Sequence, residues 1–465
     1  MQVVVVGGGV AGLTAAHHLA RTPGVAVTVL EGDDRLGGKI RTERFAGLDL
    51  DTGPDAFLAR RPEAVALCRV LGLTGSLVAP ATTAASLWLA DGLRPLPGRT
   101  LLGVPADLPA LARSRVLSLR GLARAGLEPL WPGRRLGAED TAVGPLVRRR
   151  FGSEAAERLI DPLVGGINAG DTSDLSVDAV APQIAAAARR HRSLTRGARA
   201  ILDSATGSDA PVFLTLPGGL GRLVDVLAAA LADAGAIVRT GAVVDAVDPA
   251  PGGGWEVRAR SGPDVSADAV VLAVPAFAAA PLLRPLRPRT AALLDEIEYA
   301  SVALVAMAWP AGQAPRPMEG SGFLVPRREG RLLTACSWTS NKWAHLRRDD
   351  QVVMRLSAGR LGDERVAALT DDELVERLRA ELGRAVHVRT DPAATRVTRW
   401  PRGFPQYRPG HLPRMAEAVA SLPHGLALAG AALGGVGLPA CIGSGRAAAT
   451  SVLAEVAGAS PASTL

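Results

Sequence analysis

A chain of 465 residues exceeds what one simple core accommodates, so about two to three domains are expected. With 48% hydrophobic and 21% charged residues, bulk disorder is excluded. The formal charge of +7 admits nucleic acid, anionic lipid or an acidic small molecule as partner. Dispersed arginines, scarce aromatics and the lack of any zinc spacing or stacking platform argue against nucleic acid, so the acidic small molecule fits best.

Ala, Gly, Pro and Arg dominate, and Lys39 and Lys342 are the only lysines. The skew fits GC-rich coding, so arginine abundance is not itself a functional signal. Cys68, Cys336 and Cys441 lie far apart without a CxxC, as a reducing compartment allows. Residues 2–6 already read as a buried strand, which leaves no room for a leader, and a cytoplasmic location is expected. The most apolar stretch, 426–442, is interrupted by glycines and Pro439 and does not read as a membrane span.

In chain order, the apolar run 2–6, a glycine loop, a helix to about residue 20 and a strand at 25–30 form one βαβ unit. The loop VVVVGGGVAGL supplies Gly7, Gly9 and Gly12 at GxGxxG spacing. The first permits the turn, the second lets a pyrophosphate approach the backbone, and the third lets helix and strand pack closely. Glu31 closes the second strand 19 positions after Gly12, where a carboxylate accepts ribose hydroxyls and repels a 2′-phosphate. RLGGKIRT follows, with Arg35, Gly37, Gly38 and Lys39. A second glycine pair suits a long cofactor lying beside a second loop, which favours FAD over NAD.

Between 86 and 207, helical patterns alternate with Pro/Gly breaks, and the basic clusters 148–150 and 189–199 read as solvated faces. A new unit opens at 214–221. Its helix, 222–234, sets Leu223, Val226, Leu227, Ala230 and Leu231 on one face. Strands are expected at 237–247, 255–259 and 269–274, then at 302–309, 332–338 and 351–356 around a helix at 371–382. The tail reads as a strand at 426–430, a glycine loop, a helix at 441–456 and frayed residues at 460–465. The fold class is α/β: a discontinuous FAD-binding Rossmann-like domain (1–85, 212–295 and 405–465), a largely helical subdomain (86–211) and an inserted α+β substrate domain with an antiparallel sheet (296–404).

The chain resembles the flavin amine oxidase and protoporphyrinogen oxidase superfamily over nearly its whole length. The opening fingerprint and GGKIRT are shared across that superfamily. Four further segments resemble its protoporphyrinogen/coproporphyrinogen III oxidase branch: DTGPDAFLARRP, IDPLVGGINAGDTSDLS, RWPRGFPQYRPGH and LALAGAALGGVGLPACIGSGRAAATSVL. Amine oxidases usually carry an acidic residue after the equivalent of Gly430, and here Ala431 stands there.

The resemblance implies non-covalent FAD held by Gly7, Gly8, Gly9, Val10, Ala11, Gly12, Glu31, Gly32 and Lys39. It adds Gly53, Pro54, Asp55 and Ala56 near the ring system and Val243 against the adenine. Trp400, Ala431, Val436, Gly437 and Leu438 complete the set near the isoalloxazine. The tail helix is expected to aim its N-terminus at the flavin pyrimidine. For the substrate, Arg60 and Arg61 are candidates to grip a propionate, and Asn168 and Tyr407 to line the cavity, with solvated or structural roles as the plain alternative for each. His411 and Cys441 read as structural.

The implied chemistry is hydride transfer from a porphyrinogen to flavin N5 in successive two-electron steps, with imine–enamine tautomerisation between them and molecular oxygen as final acceptor. No catalytic side chain and no metal is assigned. Coproporphyrinogen III is the leading substrate and protoporphyrinogen IX its close competitor. An amine oxidase or carotenoid desaturase, and a non-catalytic scaffold on the same fold, are the more distant readings. A hand-off to ferrochelatase and weak peripheral membrane contact complete the partners considered.

Overall fold

The computed structural model describes residues 1–131, 133–205, 211–315, 318–388, 390–456 and 458, and the expected frayed end at 460–465 lies outside them. Five strands form a parallel sheet in the order Ile237–Arg239, Ala26–Leu30, Gln2–Val6, Ala269–Leu272, Leu426–Leu428. The first strand is central and covered on both sides, which its unbroken valines require. Val3 and Val5 join the core with Leu13, Leu19, Leu227 and Val452. Val4 and Val6 join the opposite core, with Trp255, Leu283 and Met415. Helices Val10–Ala20, Gly221–Asp233 and Leu438–Val456 pack on the first face.

The run expected as a single strand at 237–247 is divided. Ile237–Arg239 belongs to the parallel sheet, whereas Val244–Pro249 pairs with Trp255–Ala259 in a three-stranded antiparallel sheet. Gly241 breaks it, with φ +64° and its N–H donating to the Asp33 carbonyl. A hydrophobic pattern does not register a change of sheet within one apolar run.

A seven-stranded sheet runs in the order Ala394–Pro405, Tyr299–Pro310, Gln351–Ala358, Leu333–Ser337, Gly322–Leu324, Ser86–Leu89, Gly92–Pro95. Helix Asp371–Val386 covers one face through Leu374, Leu378, Leu382 and Val386, four apart on one stripe. A Thr370–Glu373 capping box starts that helix, and His387 ends it in the left-handed region. The opposite face meets the hairpin Thr42–Phe45 and Leu48–Asp51, where Phe45 and Leu50 pack with Ala306, Ala308 and Val353. Residues 108–205 are mainly helical around a core of their own. Within that region Ala156–Gly165 is π-helical and contains Pro162, whose missing N–H the wider turn absorbs. Among the described residues, no helix is long and apolar enough to cross a membrane.

Candidate flavin and substrate site

No side chain caps the helix at Val10, so its first N–H groups face outward from the loop. The glycines of the fingerprint are not equivalent. A Cβ on Gly12 would lie 1.9 Å from the Gly7 carbonyl oxygen, so the chain itself forbids any other residue there. A Cβ on Gly9 would meet nothing within 4 Å. Packing within the protein thus does not demand glycine at position 9, as it does at position 12. Glu31 closes the next strand, accepting the N–H of Gly8 at 2.5 Å and of Asp33 at 2.8 Å. Val243 stands over Gly32, 3.4 Å from where its Cβ would be, and so joins Glu31 at one end of the loop.

The second glycine pair lies directly on the first loop. Gly37 donates to the Gly8 carbonyl at 2.8 Å, and Gly9 and Gly37 form a parallel bridge. The Arg35 guanidinium donates to the carbonyls of Leu36, Gly38 and Ile40, which fixes the second loop's shape. Lys39 then reaches two further stretches. Its carbonyl oxygen lies 2.0 Å from a Cβ built on Gly53, which demands glycine there. Its ammonium is depressed below the ordinary lysine range by burial, partly countered by Cys441. The side chain is nevertheless exposed to solvent.

The tail helix begins at Leu438, three residues earlier than the expected 441, because Pro439 fits a helix's first turn. A Cβ on Gly445 would lie 2.1 Å from the Ala11 carbonyl, so the tail helix crosses the first helix in direct backbone contact. This places Val436, Gly437 and Leu438, at the start of the tail helix, on the same side as the first helix's N-terminus. Gly430 donates to Ser444 Oγ at 2.9 Å, tying the preceding loop to that helix.

From the seven-stranded sheet, Trp400 Nε1 donates to the Thr52 carbonyl at 2.9 Å. Arg355 donates to the carbonyls of Asp51 at 2.6 Å and Gly53 at 3.0 Å. Asp55 accepts from Lys342 Nζ at 2.8 Å and Trp343 Nε1 at 3.1 Å, and its carboxylate lies 3.4 Å from Arg355. Burial alone pushes Asp55 up, but Arg355 and Lys342 overturn that and hold it well below the usual carboxylate range. Asp55 therefore braces the 51–56 segment against the residues of the seven-stranded sheet and its connections.

Residues 10–453 match the family described as flavin containing amine oxidoreductase. The chain belongs to that family. A coproporphyrinogen III oxidase of Mycobacterium tuberculosis (strain ATCC 25618 / H37Rv) is 38% identical over 97% of this chain and 96% of its own length. One from Bacillus subtilis (strain 168) is 33% identical over 97% and 98% respectively. A solved structure from Exiguobacterium sp. 255-15, provisionally named a protoporphyrinogen oxidase, superimposes with TM-score 0.87 at 31% identity, covering 97% of this chain and 98% of that one. The cyclohexylamine oxidase of Brevibacterium oxydans IH-35A, at 18% identity and TM-score 0.73, shares the fold.

In this flavin oxidoreductase the four substrate candidates lie in different settings. Tyr407 is buried, donates to the Ala431 carbonyl and stacks on His411 at 4.5 Å, orienting the loop before the tail helix. Burial brings His411 down to about 4, so it is neutral, and its Nε2–H donates to the Ala432 carbonyl at 2.9 Å. Asn168 is buried as well. Its Nδ2 donates to Val164 at 2.8 Å, and its backbone carbonyl accepts from Gln406 at 2.9 Å. Arg60 and Arg61 are exposed on the turn between strand Phe57–Leu58 and helix Pro62–Val70, with Arg61 3.6 Å from Glu63.

Lys342, Trp343, Arg355 and Asp51 are absent from the sequence-derived set. One signal was available: arginine far outnumbers lysine in the chain, and its two lysines, Lys39 and Lys342, both touch the 51–56 segment. Asp51 gave none. Its carboxylate accepts from Thr42 Oγ1 at 2.5 Å and from the Leu220 N–H at 2.9 Å, joining the hairpin to the helix that starts at Gly221. Burial pushes it up to about 6 despite those bonds.

Proposed function

We propose that this chain binds FAD non-covalently and oxidises coproporphyrinogen III to coproporphyrin III in haem biosynthesis, with molecular oxygen as acceptor. The reading is supported by the contacts that join the 7–12 loop to the 37–39 loop, Lys39 to Gly53, Val243 to Gly32 and the tail helix to the first helix, with the Gly9 and Gly430 Cβ positions open. Full-length relatives named for coproporphyrinogen III support the substrate.

FAD, when bound, supplies the two-electron acceptor. In this reading the N-terminal N–H groups of the first helix, with Gly7, Gly8, Gly9, Val10, Ala11 and Gly12, hold the pyrophosphate. Glu31 and Gly32 hold the ribose, and Val243 covers the adenine. Lys39, Gly53, Pro54, Asp55, Ala56, Trp400 and the Ala431–Leu438 stretch surround the ring system, with the tail helix's dipole favouring negative charge there. Positioning is the protein's contribution, and no side chain is assigned to carry a proton.

The units 1–85, 212–295 and 405–465 form the FAD-binding part in this reading, and 86–211 and 296–404 the substrate-facing parts. Arg60, Arg61, Asn168 and Tyr407 belong to the substrate side, Asn168 and Tyr407 as buried supports of its wall. Weak peripheral contact with anionic membrane is supported by Leu119 and Trp131, 86% and 87% exposed beside Arg120. A cytoplasmic location and a hand-off of coproporphyrin to ferrochelatase belong to the same reading.

The test is oxidation of coproporphyrinogen III and protoporphyrinogen IX by FAD-loaded protein, followed by porphyrin fluorescence and peroxide release. Faster oxidation of the four-propionate substrate is expected. Preference for protoporphyrinogen IX transfers the assignment to that reaction, and a flavin-loaded protein inert on both ends the proposal.

A further inference from the structure

A second hollow lies away from the proposed flavin trough. Its wall includes Asp161 and Gly165 of the π-helical segment, with Gly170, Thr334, Gly359 and Arg360. Ten residues of π-helix are rare, and such turns collect at functional sites. Beside this hollow two side chains carry buried polar atoms that make no hydrogen bond. Arg327 has Nε and Nη2 out of solvent and in no hydrogen bond. The nearest carboxylate oxygen, on Asp171, is 3.7 Å from Nε, beyond hydrogen-bond reach. Gln406 Oε1 is likewise buried and unpaired, 2.3 Å from where a Cβ on Gly170 would stand.

The strand ladder fixes where the hollow lies relative to the trough. On the strand Tyr299–Pro310, Val302 pairs with Trp400 and Ala303 with Ala358, the residue before Gly359. Continued past Ala358, that register sets Gly359 level with Val302 and Trp400, two strand spacings or about 10 Å across the sheet, and Arg360 follows one residue beyond. Trp400 holds the Thr52 carbonyl, beside the segment assigned to the ring system. A propionate arm alone is shorter than that distance, but the width of the macrocycle together with the arm covers it.

We propose that this hollow is a carboxylate subsite, in which the Nε–Nη2 edge of Arg327 and the guanidinium of Arg360 take one propionate of the tetrapyrrole. This rests on the porphyrinogen reading above. Nε–H and Nη2–H point the same way from one side of the guanidinium, the fork that grips a carboxylate with two parallel bonds. Arg360 is poised for an anion, since burial and then the like charge of Arg327 both bring its pKa down, a cost that a bound carboxylate relieves. Asp161 and Asp363 offset part of that lowering at Arg360, and burial drives the pKa of Asp161 itself up. Asn168 enters as a support: its carbonyl anchors the amide of Gln406, and Leu361 N–H bonds its neighbour Ala169 at 2.8 Å.

The experiment measures equilibrium binding of coproporphyrin III and of its tetramethyl ester to the flavin-loaded parent, Arg327→Gln and Arg360→Gln, by quenching of porphyrin fluorescence. Each variant is expected to bind the free acid about tenfold or more weakly while binding the ester as the parent does. Acid binding unchanged in both variants overturns the subsite, and so does an equal loss for acid and ester, which marks a structural effect. If Arg360→Gln does not retain flavin, Arg327→Gln decides alone, since it removes a guanidinium edge that makes no hydrogen bond in the fold. A parent that binds neither porphyrin and oxidises neither porphyrinogen defeats the porphyrinogen reading itself, and the subsite with it. Loss confined to the variants' acid binding cannot arise that way.

Discussion

On the five-stranded sheet's side of the proposed flavin trough, the groups offered are mostly backbone: the Gly7–Gly12 loop, the Gly37–Gly38 pair, the first turns of two helices. Where the seven-stranded sheet meets it, they are side chains: Arg355, Lys342, Trp343 and Trp400 reaching onto residues 51–55. The first surface suits a ligand recognised by its phosphates, which asks only for N–H groups and close approach. The second braces a segment by charge, and charge must be balanced residue by residue. Damage to the two should therefore look different.

The largest effect is expected from Gly12→Ala. With 1.9 Å between its Cβ and the Gly7 carbonyl, the loop must open and its packing fail. The cost should exceed about 4 kcal/mol, read as loss of soluble, flavin-bearing protein. Survival with parental melting would mean the two halves of the loop are not in contact.

Asp55→Asn comes next. It leaves Lys342 and Arg355 without a counter-charge and should cost about 3 kcal/mol in chemical denaturation at neutral pH. Because Asp55 is held below its ordinary range, its contribution is present above its unfolded pKa of about 4 and is lost only at strongly acid pH. A variant as stable as the parent would show the brace to be solvated.

Asp51 runs the other way. With its folded value raised to about 6, the group favours the folded state below its unfolded pKa, and that advantage is lost as pH rises through about 6. Asp51→Asn keeps the acceptor for Thr42 and Leu220. It should gain on the parent between pH 5 and pH 7.5 by about 2 kcal/mol at most. A constant difference across that range would place the titration elsewhere. Smallest is Tyr407→Phe, which strips one donor from the Ala431 carbonyl at about 1 kcal/mol. Little change in turnover is expected, and a collapse of coproporphyrinogen oxidation would give the hydroxyl a direct role at the substrate.

The same contrast explains what the sequence could reveal. A loop shaped by its backbone leaves a spacing, and so the turn at Gly7–Gly12, the Glu31 strand end and the second glycine pair packed beside them were readable as structure. Strand Trp255–Ala259 fell where its alternation put it. The division at Gly241 was hidden because one apolar run serves two sheets. The early start at Leu438 was hidden because Pro439 reads as a break, although the first turn tolerates it. Side-chain constellations leave no such record. Asp55 meets Lys342 across 287 positions, and Asp161 shares a hollow with Arg360. Among so many dispersed arginines, nothing local marks Arg355 or Arg360 out, and only the scarcity of lysine pointed to Lys342.

The most direct test of the account is an FAD titration of flavin-stripped parent and Gly9→Ala, with the melting temperature of each stripped protein measured alongside. Nothing in the protein lies within 4 Å of the added Cβ, so the stripped proteins should melt alike. The parent should take up one FAD per chain, releasable by denaturation, and the variant should bind it at least about tenfold more weakly. Correctly folded parent that takes up no FAD, or a variant that binds it equally well, would contradict the claim that these distant stretches hold the cofactor through their backbone.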